Sequence, residues 1–343
     1  MIHDYDKLNV SKVQPFISVI IIAYNRTEYI IKATESVIDQ TMERSRYEII
    51  VSKNFKDRKI DEFLDKNVDK NIYDDCIGIG KRLANLAGHV SGEVVTFLED
   101  DDLYYKEKLN DVATHFMNDN SLIFFHNSFI TTNENLVPIP SNFFYKPKKE
   151  FTFSTQGLIT SWFFLASEGA FHNLSSISVR KCLFQSSNNI LEKIIRSPDL
   201  FFFANALISN GSLTFSSKEL TIFRMHESAS IDLALSYNSW ISNKINIFSF
   251  FLSDSSYILR LLRNTNIELM GKFMIKIWQS NILSINKYAK RKTIIKDIIQ
   301  YKRFKKYLSK KYSFRILLLK IRLFSISLSS HVYYLFEKNK FKL

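Results

Sequence analysis

Residues 92–102 read Gly-Glu-Val-Val-Thr-Phe-Leu-Glu-Asp-Asp-Asp, an apolar run that ends in four consecutive acids. The apolar part is short and rich in β-branched and aromatic side chains, which is typical of a strand buried on both faces. Four adjacent carboxylates repel one another, and a divalent cation bound to their oxygens would relieve that repulsion. The alternative is a solvated acidic turn in which an aspartate caps a helix.

Strand and helix patterns alternate on both sides of this stretch. We predict strands at residues 16–23, 47–51, 71–73, 94–98, 122–125, 176–179 and 220–223, and helices near 30–38, 60–64, 79–90, 109–116 and 199–209. Asn25, with Glu28 three positions later, resembles a capping box at the start of the first helix. Beyond Tyr237 the pattern is mostly helical. Such alternation predicts an α/β fold whose largely parallel sheet binds ligands at the carboxyl ends of its strands.

Composition excludes several classes of protein. The 343 residues are 46% hydrophobic and 24% charged, which excludes a disordered chain. Two cysteines, Cys76 and Cys182, are too few for a disulfide framework or a zinc cluster. The first ten residues lack the apolar core of a signal peptide, so we expect a cytoplasmic protein.

The positive charge is concentrated in the last part of the chain. From Lys287 onward there are 17 basic and 2 acidic residues, a net charge of +15, whereas the remaining 286 residues have a net charge of −2. A tail of this kind either binds an anionic surface, which here would be the inner face of the cell membrane, bound peripherally, or a nucleic acid, or it simply stays solvated. Residues 314–328 are apolar but interrupted by basic residues, and either lie in a membrane interface or pack on the body. Nucleic acid is an unlikely partner, because the body shows no nucleic-acid-binding module.

Glycines cluster just before the acidic run. Gly78, Gly80, Gly88 and Gly92 are four of the eight glycines in the chain, so this segment is expected to turn tightly against a ligand or a neighbouring strand. Leu83 occupies the position of the third glycine of a dinucleotide-binding loop, which excludes that motif.

Three segments together resemble the family 2 glycosyltransferases of the GT-A fold: residues 18–26 (SVIIIAYNR), residues 47–51 (YEIIV) and residues 92–102. The resemblance covers about residues 16–230. It implies a nucleotide-diphospho-sugar transferase-like α/β fold with a mostly parallel central sheet flanked by helices. The implied catalytic domain is 1–235, with a nucleotide-sugar half at about 16–117 and an acceptor half at about 118–235. A basic helical region, 236–343, follows as a C-terminal extension.

The resemblance also implies roles for individual residues. The acidic run binds the nucleotide and the metal ion, with Glu99 facing the ribose and Asp101 on Mg²⁺ or Mn²⁺, supported by Asp102. The predicted nucleotide-binding residues are Ala23, Tyr24, Asn25, Asp57, Glu99 and Asp100. Arg224 and His226, in a segment similar to the Arg-x-His segment of the family, are candidates to contact the diphosphate or the metal ion.

Asp199 is the candidate catalytic base. The family supplies a carboxylate at the start of a helix after the acceptor-binding segment, and Ser197-Pro198-Asp199 occupies the matching place. A base within hydrogen-bond reach removes the proton of an acceptor hydroxyl, and one direct displacement inverts the anomeric centre. The alternative for Asp199 is an ordinary aspartate stabilised by the helix dipole.

These residues predict a metal-dependent hexosyltransferase. It would move a sugar from a nucleotide-diphosphate sugar to a hydroxyl on a glycan or a lipid-linked acceptor in glycan biosynthesis. The family's second strand ends in an acid that reads the nucleobase, whereas residues 51–57 here read Val-Ser-Lys-Asn-Phe-Lys-Asp and keep only Asp57. This departure leaves the nucleobase open. It also leaves open the alternative of a non-catalytic nucleotide-binding protein with the same fold.

Overall fold

A computed structural model describes residues 14–140, 145–155, 169–226 and 236–285, together with single positions at 165, 295, 299, 329, 332 and 335. Most of the basic region from Lys287 onward, including the predicted interfacial segment 314–328, lies outside the described residues.

The described strands form one sheet. They are β1 (Ile17–Ala23), β2 (Tyr47–Lys53), β3 (Lys70–Tyr73), β4 (Val94–Glu99), β5 (Leu103–Tyr104), β6 (Leu122–Thr132), β7 (Phe151–Ser154), β8 (Ile177–Arg180) and β9 (Ser212–Arg224). Their order is β3-β2-β1-β4-β8-β6-β9-β5, and β7 also pairs with β9. The half formed by β3, β2, β1 and β4 is parallel, as predicted, while β8 runs antiparallel between β4 and β6.

Helices cover both faces of this sheet. They are α1 (Ile30–Ile38), α2 (Arg58–Asn67), α3 (Ile79–Leu86), α4 (Lys108–Asn118), α5 (Lys181–Gln185), α6 (Asn188–Leu191), α7 (Pro198–Ile208), α8 (Tyr237–Leu262) and α9 (Glu268–Ile285). Short 3-10 turns lie at Arg44–Arg46 and Leu174–Ser176.

Alternate residues of the central strands belong to two different hydrophobic clusters. Ile20 and Phe97 pack in one cluster, whereas Ile21 and Leu98 pack in the other. Each strand is therefore buried on both faces, which is why its sequence is a continuous apolar run rather than an alternating one. In register, Ala23 lies beside Lys53 of β2, so the carboxyl ends of the parallel strands share one edge.

The start of α1 differs from the predicted capping box. Asn25 has φ 56°, in the left-handed region, and its backbone N–H donates to Asn54 Oδ1 at 2.7 Å. The Asn54 amide in turn donates to Asn25 Oδ1 at 2.6 Å. Because Asn25 is bonded across to the end of β2, it does not cap the helix, whose N-cap residue is Tyr29. The capping-box prediction is wrong.

Two of the clustered glycines allow close packing of protein against protein. A Cβ at Gly80 would lie 2.1 Å from the Leu191 carbonyl oxygen, and one at Gly92 would lie 2.6 Å from the Ser18 backbone nitrogen. Gly80 thus lets α3 pack directly on α6, and Gly92 lets the chain cross the start of β1.

The C-terminal helices share the core of the sheet. Ile258 of α8 and Phe273 of α9 are buried in the same cluster as Ile20 and Phe97. Helices α8 and α9 therefore help to cover one face of the sheet. No helix within the described ranges is both long enough and apolar enough to cross a bilayer.

Candidate active site

The acidic run forms a tight turn at the carboxyl edge of the parallel strands. Glu99 ends β4, and the Asp102 N–H donates to the Glu99 carbonyl at 3.1 Å. The Asp100 N–H donates to the Ile22 carbonyl at 3.1 Å, which ties the run to β1. Four carboxylates are thereby concentrated at the edge where α/β folds bind ligands.

Arg26 and His226 surround two of these carboxylates. Arg26 bonds both oxygens of Asp100, with Nη2–Oδ1 at 2.6 Å and Nε–Oδ2 at 3.2 Å. Its Nη1 lies 2.6 Å from Asp101 Oδ2, and His226 Nε2 lies 2.9 Å from the same oxygen. These pairs join residues far apart in sequence, from the β1–α1 connection, the acidic run and the segment after β9.

The acids differ in their electrostatic environment. Burial acts to raise the pKa of Asp101, but hydrogen bonds from His226 and Arg26 outweigh it and hold that pKa below its ordinary value. Burial and the nearby Asp101 raise the pKa of Asp100 to about 7, against the attraction of Arg26. The pKa of Glu99 is raised well above its usual range, first by burial and then by repulsion from the neighbouring acids. Asp101 is thus the member most strongly held in its anionic form.

Asp102 turns away from the solvent into a buried polar network. It is 1% exposed, and its Oδ1 accepts the Arg224 N–H at 3.0 Å. Burial raises its pKa well above the ordinary value, against hydrogen bonding from Ser175 and Arg224. Behind it lies Lys108, fully buried, whose Nζ donates to the Ser175 carbonyl and to Thr221 Oγ1 at 3.1 Å.

Asp199 lies at the first turn of α7, close enough to the acidic run to interact with it. Repulsion from Asp199 contributes to the raised pKa of Glu99. The Leu200 N–H donates to Asp199 Oδ1 at 2.7 Å, and the Asn173 N–H also bonds the carboxylate. Burial raises the pKa of Asp199 to about 7, with a further contribution from Asp254.

The turn at Leu174–Ser176 connects the acidic run to Asp199. Ser175 Oγ accepts the Glu99 N–H at 3.0 Å, while Asn173 at the start of the turn bonds Asp199. Asn173 has φ 80°, which an asparagine adopts more readily than most residues, and its Oδ1 accepts the Ser175 N–H at 3.0 Å. One short turn therefore positions the strand-end acids and the helix-start acid.

Asp254 of α8 holds the segment that leads into α7. It is fully buried, and its two oxygens accept the backbone N–H groups of three consecutive residues at 2.8–3.0 Å: Ile195, Arg196 and Ser197. The position of Asp199 thus depends on a carboxylate from the C-terminal helices.

The edge formed by β1 and β2 contains the predicted nucleotide-binding residues Ala23, Tyr24 and Asn25. Tyr24 is 41% exposed. Below it lies Arg82 of α3, fully buried, which donates to the Ala23 carbonyl at 2.9 Å and to Ser52 Oγ at 3.0 Å. Arg82 thereby joins the carboxyl ends of β1 and β2.

Charged side chains at the end of β2 and in the loop that follows form contacts within the protein. Asp57 is the N-cap of α2, and its Oδ1 accepts the N–H groups of Lys59 and Ile60 at 3.0 Å. Lys53, which is 2% exposed, forms an ion pair with Asp61 at 2.5 Å. A nucleotide contact by Asp57 stays a prediction. Because Oδ1 caps α2, Oδ2 would be the atom that makes this contact.

Arg224 is a buried cation beside the acidic run. It is 5% exposed, its guanidinium lies 4.4 Å from the centre of the Tyr29 ring, and Nε and Nη2 have no hydrogen-bond partner within the described ranges. Buried polar groups normally have partners, so these two N–H groups suit an anionic ligand.

A second group of potential metal ligands lies after β3. Ligand atoms of Asp74, Asp75 and Cys76 are within 4.8 Å of one another. Asp74 already accepts the Cys76 N–H at 2.9 Å and the Asn85 amide at 3.0 Å. The sequence prediction did not single out this group.

The sequence prediction also left out Arg26, Arg82 and Ser175 as site residues. Arg82 follows Ile79 by three positions and precedes Leu86 by four, so its place on the buried face of α3 was a usable signal. Arg26 and Ser175 reach the acids through contacts across about 75 residues, for which a local pattern has no signal.

Comparison with known proteins shows what the first half of the chain is similar to. Residues 18–174 match the model of glycosyl transferase family 2. An uncharacterized glycosyltransferase of Rickettsia felis is 35% identical over 122 residues, and one of Rickettsia conorii is 32% identical over 133 residues. Each match covers 34% of this chain and 20% of the relative, so the chain spans about a fifth of the length of these relatives.

Solved structures of S. aureus TarS have a similar fold. The crystal structure of its residues 1–349 is 17% identical, with 95% of this chain and 90% of that chain covered and a TM-score of 0.56. The same protein in complex with UDP is 16% identical, with 92% and 90% covered and a TM-score of 0.57. At this identity the likeness concerns the fold alone. Residues 18–174 therefore resemble glycosyl transferase family 2, and the described part of the chain has a GT-A-like fold similar to that of TarS.

Proposed function

We propose that this protein transfers a sugar from a nucleotide-diphosphate sugar to a hydroxyl acceptor at the carboxyl edge of β1, β2 and β4. The observation that carries the proposal is the convergence of the acidic run, the buried cation Arg224 and the helix-start acid Asp199 at one edge. TarS, which has a similar fold, has been crystallised in complex with UDP and with UDP-GlcNAc. We therefore take UDP-GlcNAc as the first donor to test.

A divalent cation, Mg²⁺ or Mn²⁺, fits the donor set at Asp101. Asp101 Oδ2 and His226 Nε2 lie 2.9 Å apart, and a carboxylate with an imidazole suits such an ion. Arg26 Nη1 already lies 2.6 Å from Asp101 Oδ2 and 2.7 Å from His226 Nε2, so a positive group is accommodated between these two atoms. Asp101 and His226 would hold the cation, with Asp102 as a predicted supporting ligand. When bound, a cation of this kind stabilises negative charge on the departing diphosphate.

Arg224 would bind the diphosphate. Its unpartnered N–H groups can bond phosphate oxygens in two-point fashion, which an arginine does better than a lysine. The attraction between Arg224 and the diphosphate becomes stronger as the bond to the sugar breaks, because negative charge then builds on the leaving oxygen. Tyr24, Asn25 and Glu99 would border the nucleoside.

Asp199 would act as the general base. A carboxylate with a pKa of about 7 is half ionised at pH 7, and its anion is basic enough to take the proton of a hydroxyl as that hydroxyl attacks. A single attack from the face opposite the diphosphate inverts the anomeric centre.

The acceptor would lie near an anionic membrane surface. Support comes from the net charge of the region from Lys287 onward and from Ile295 and Ile299, helical residues one turn apart that are 43% and 56% exposed within a basic run. Apolar side chains flanked by lysines and arginines are typical of helices that bind such surfaces.

A thermal-shift panel of nucleoside diphosphates, with and without Mn²⁺ or Mg²⁺, tests the proposal. Ligand at 100 times its Kd stabilises the folded state by about 2.7 kcal/mol, so UDP with Mn²⁺ should raise the Tm by several degrees. We expect Asp101→Asn to lose most of the shift and Lys66→Gln, at an exposed position in the last turn of α2, to keep it. No shift with any diphosphate would contradict the proposed site. Binding without consumption of any sugar donor would favour the non-catalytic alternative.

A further inference from the structure

The guanidinium of Arg26 is enclosed by the side chains that a cation would use. It bonds Asp100 in two-point fashion, and its Nη1 lies 2.6 Å from Asp101 Oδ2. Asp100 and Asp101 favour the charged form of Arg26 strongly enough to raise its pKa, although burial acts to lower it. The acidic run is therefore already neutralised by a group of the protein itself.

The same nitrogen also contacts the imidazole. Arg26 Nη1 lies 2.7 Å from His226 Nε2, and that ring nitrogen lies 2.9 Å from Asp101 Oδ2. The three atoms form a small triangle. A divalent cation that bound Asp101 and His226 would therefore meet a second positive charge at the same two atoms, so Arg26 and the cation are mutually exclusive there.

The position of Arg26 allows its side chain to move away from the acidic run. It lies in the connection between β1 and α1, outside any helix or strand, and its side chain is 30% exposed, whereas that of Asp100 is 3% exposed. A rotation of the Arg26 side chain toward solvent would release Asp101 and His226 without moving the strands. The acids themselves are fixed by backbone hydrogen bonds to β1 and to Ser175.

We propose that Arg26 is a resident counter-ion that occupies the cation site before the donor binds and exchanges with the divalent cation. This inference rests on the proposed cation site at Asp101. The displaced guanidinium needs a new anion, and a diphosphate provides one. Cation binding and nucleotide binding are therefore coupled through Arg26, with each favouring the other.

Isothermal titration with MnCl₂, in the absence and presence of UDP, tests the exchange. We expect Arg26→Gln to bind Mn²⁺ alone at least about tenfold more tightly than the wild type, because the competing charge is gone. UDP should tighten Mn²⁺ binding in the wild type and do so much less in Arg26→Gln. Arg26→Lys, which keeps the charge but not the two-point bond, should lie between them.

Two controls separate this effect from a general change in charge. Lys66→Gln removes one positive charge at an exposed position in the last turn of α2 and should bind Mn²⁺ as the wild type does. The double variant Arg26→Gln with Asp101→Asn should lose the tight Mn²⁺ site, which separates it from binding at the group after β3. Mn²⁺ should also raise the Tm of Arg26→Gln by more than it raises that of the wild type, because the variant has unneutralised buried acids.

The outcomes distinguish this inference from the proposed function. Equal Mn²⁺ affinity in the wild type, Arg26→Gln and Arg26→Lys, with Asp101→Asn reducing it, would overturn the exchange and leave the cation site in place. No Mn²⁺ binding by any variant, with or without UDP, would overturn the cation site and the exchange together. A Tm of Arg26→Gln that is lowered and does not respond to Mn²⁺ would make Arg26 a structural ion pair only.

Discussion

Asp199 is the residue whose ionisation should set the pH dependence of the reaction. Burial raises its pKa to about 7, and the charged groups that face it are Glu99 of β4 and Asp254 of α8. A general base must be unprotonated to accept a proton, so activity requires the form that dominates above pH 7. The raised pKa therefore predicts that activity is lost on the acid side of neutrality.

We predict that kcat/KM rises about tenfold per pH unit up to about pH 7 and is level above it. At pH 8, Asp199→Asn should be slower by a factor of about 100 or more, and its profile should lack the limb near pH 7. The measurement is donor consumption between pH 5 and pH 9. An Asp199→Asn profile parallel to that of the wild type would exclude Asp199 as the titrating base.

At the scale of residues, prediction from sequence succeeds best for features that depend on a short stretch of sequence. The acidic run was placed at a strand end, and the structure has it there. The partners of the acids were not predicted, because Arg26 and Ser175 come from segments about 75 residues away. Roles of the individual site residues stay predictions.

At the scale of secondary-structure elements, tertiary packing determines the strands and strand ends that local sequence propensity does not predict. The buried strands β1, β2 and β4 were predicted within one or two residues, because their apolar runs are long and flanked by polar residues. The short strands β5 and β7 were not predicted, since each forms by pairing with β9, more than 50 residues along the chain. Likewise β6 and β9 extend well beyond the predicted ends because they pair with each other over most of their length.

The contact of α3 with α6 gives a prediction at this scale. Gly80→Ala would place a Cβ 2.1 Å from the Leu191 carbonyl oxygen, so α3, which carries Arg82, must shift. We expect the free energy of unfolding to fall by about 2–3 kcal/mol, as measured by urea denaturation.

Gly88→Ala is the matched control for this change. A Cβ at Gly88 meets nothing within 4 Å, and Gly88 is not among the glycines with positive φ. The free energy of unfolding of this variant should stay within about 0.5 kcal/mol of the wild type. Equal effects of the two substitutions would mean that the close approach of α3 and α6 is not what Gly80 provides.

At the scale of the whole molecule, the C-terminal helices support the site. The core cluster that contains β4 also contains residues of α8 and α9, and Asp254 of α8 binds the three N–H groups that precede α7. Hydrogen bonds to a charged group contribute about 1.5–3 kcal/mol each, and a buried N–H left without a partner is costly.

We therefore predict that Asp254→Ala destabilises the protein by about 3 kcal/mol or more and lowers activity even at temperatures where the protein stays folded. Thermal denaturation and donor consumption measured on the same samples check this. Ser256→Ala, two residues along α8, removes only a hydroxyl bonded within the helix and should change neither quantity much. A fully active Asp254→Ala would show that the start of α7 is positioned without α8.

The most direct test is proton NMR of UDP-GlcNAc mixed with the diamagnetic cation Mg²⁺ and the wild type, Asp101→Asn or Asp199→Asn, with water or a supplied alcohol as the acceptor. We predict that the wild type consumes the donor and releases first the anomer opposite in configuration to the donor. Asp199→Asn should still bind UDP but consume the donor at least about 100-fold more slowly, and Asp101→Asn should lose both. Consumption at the wild-type rate by both variants would contradict the assignment of the chemistry to this edge of the sheet.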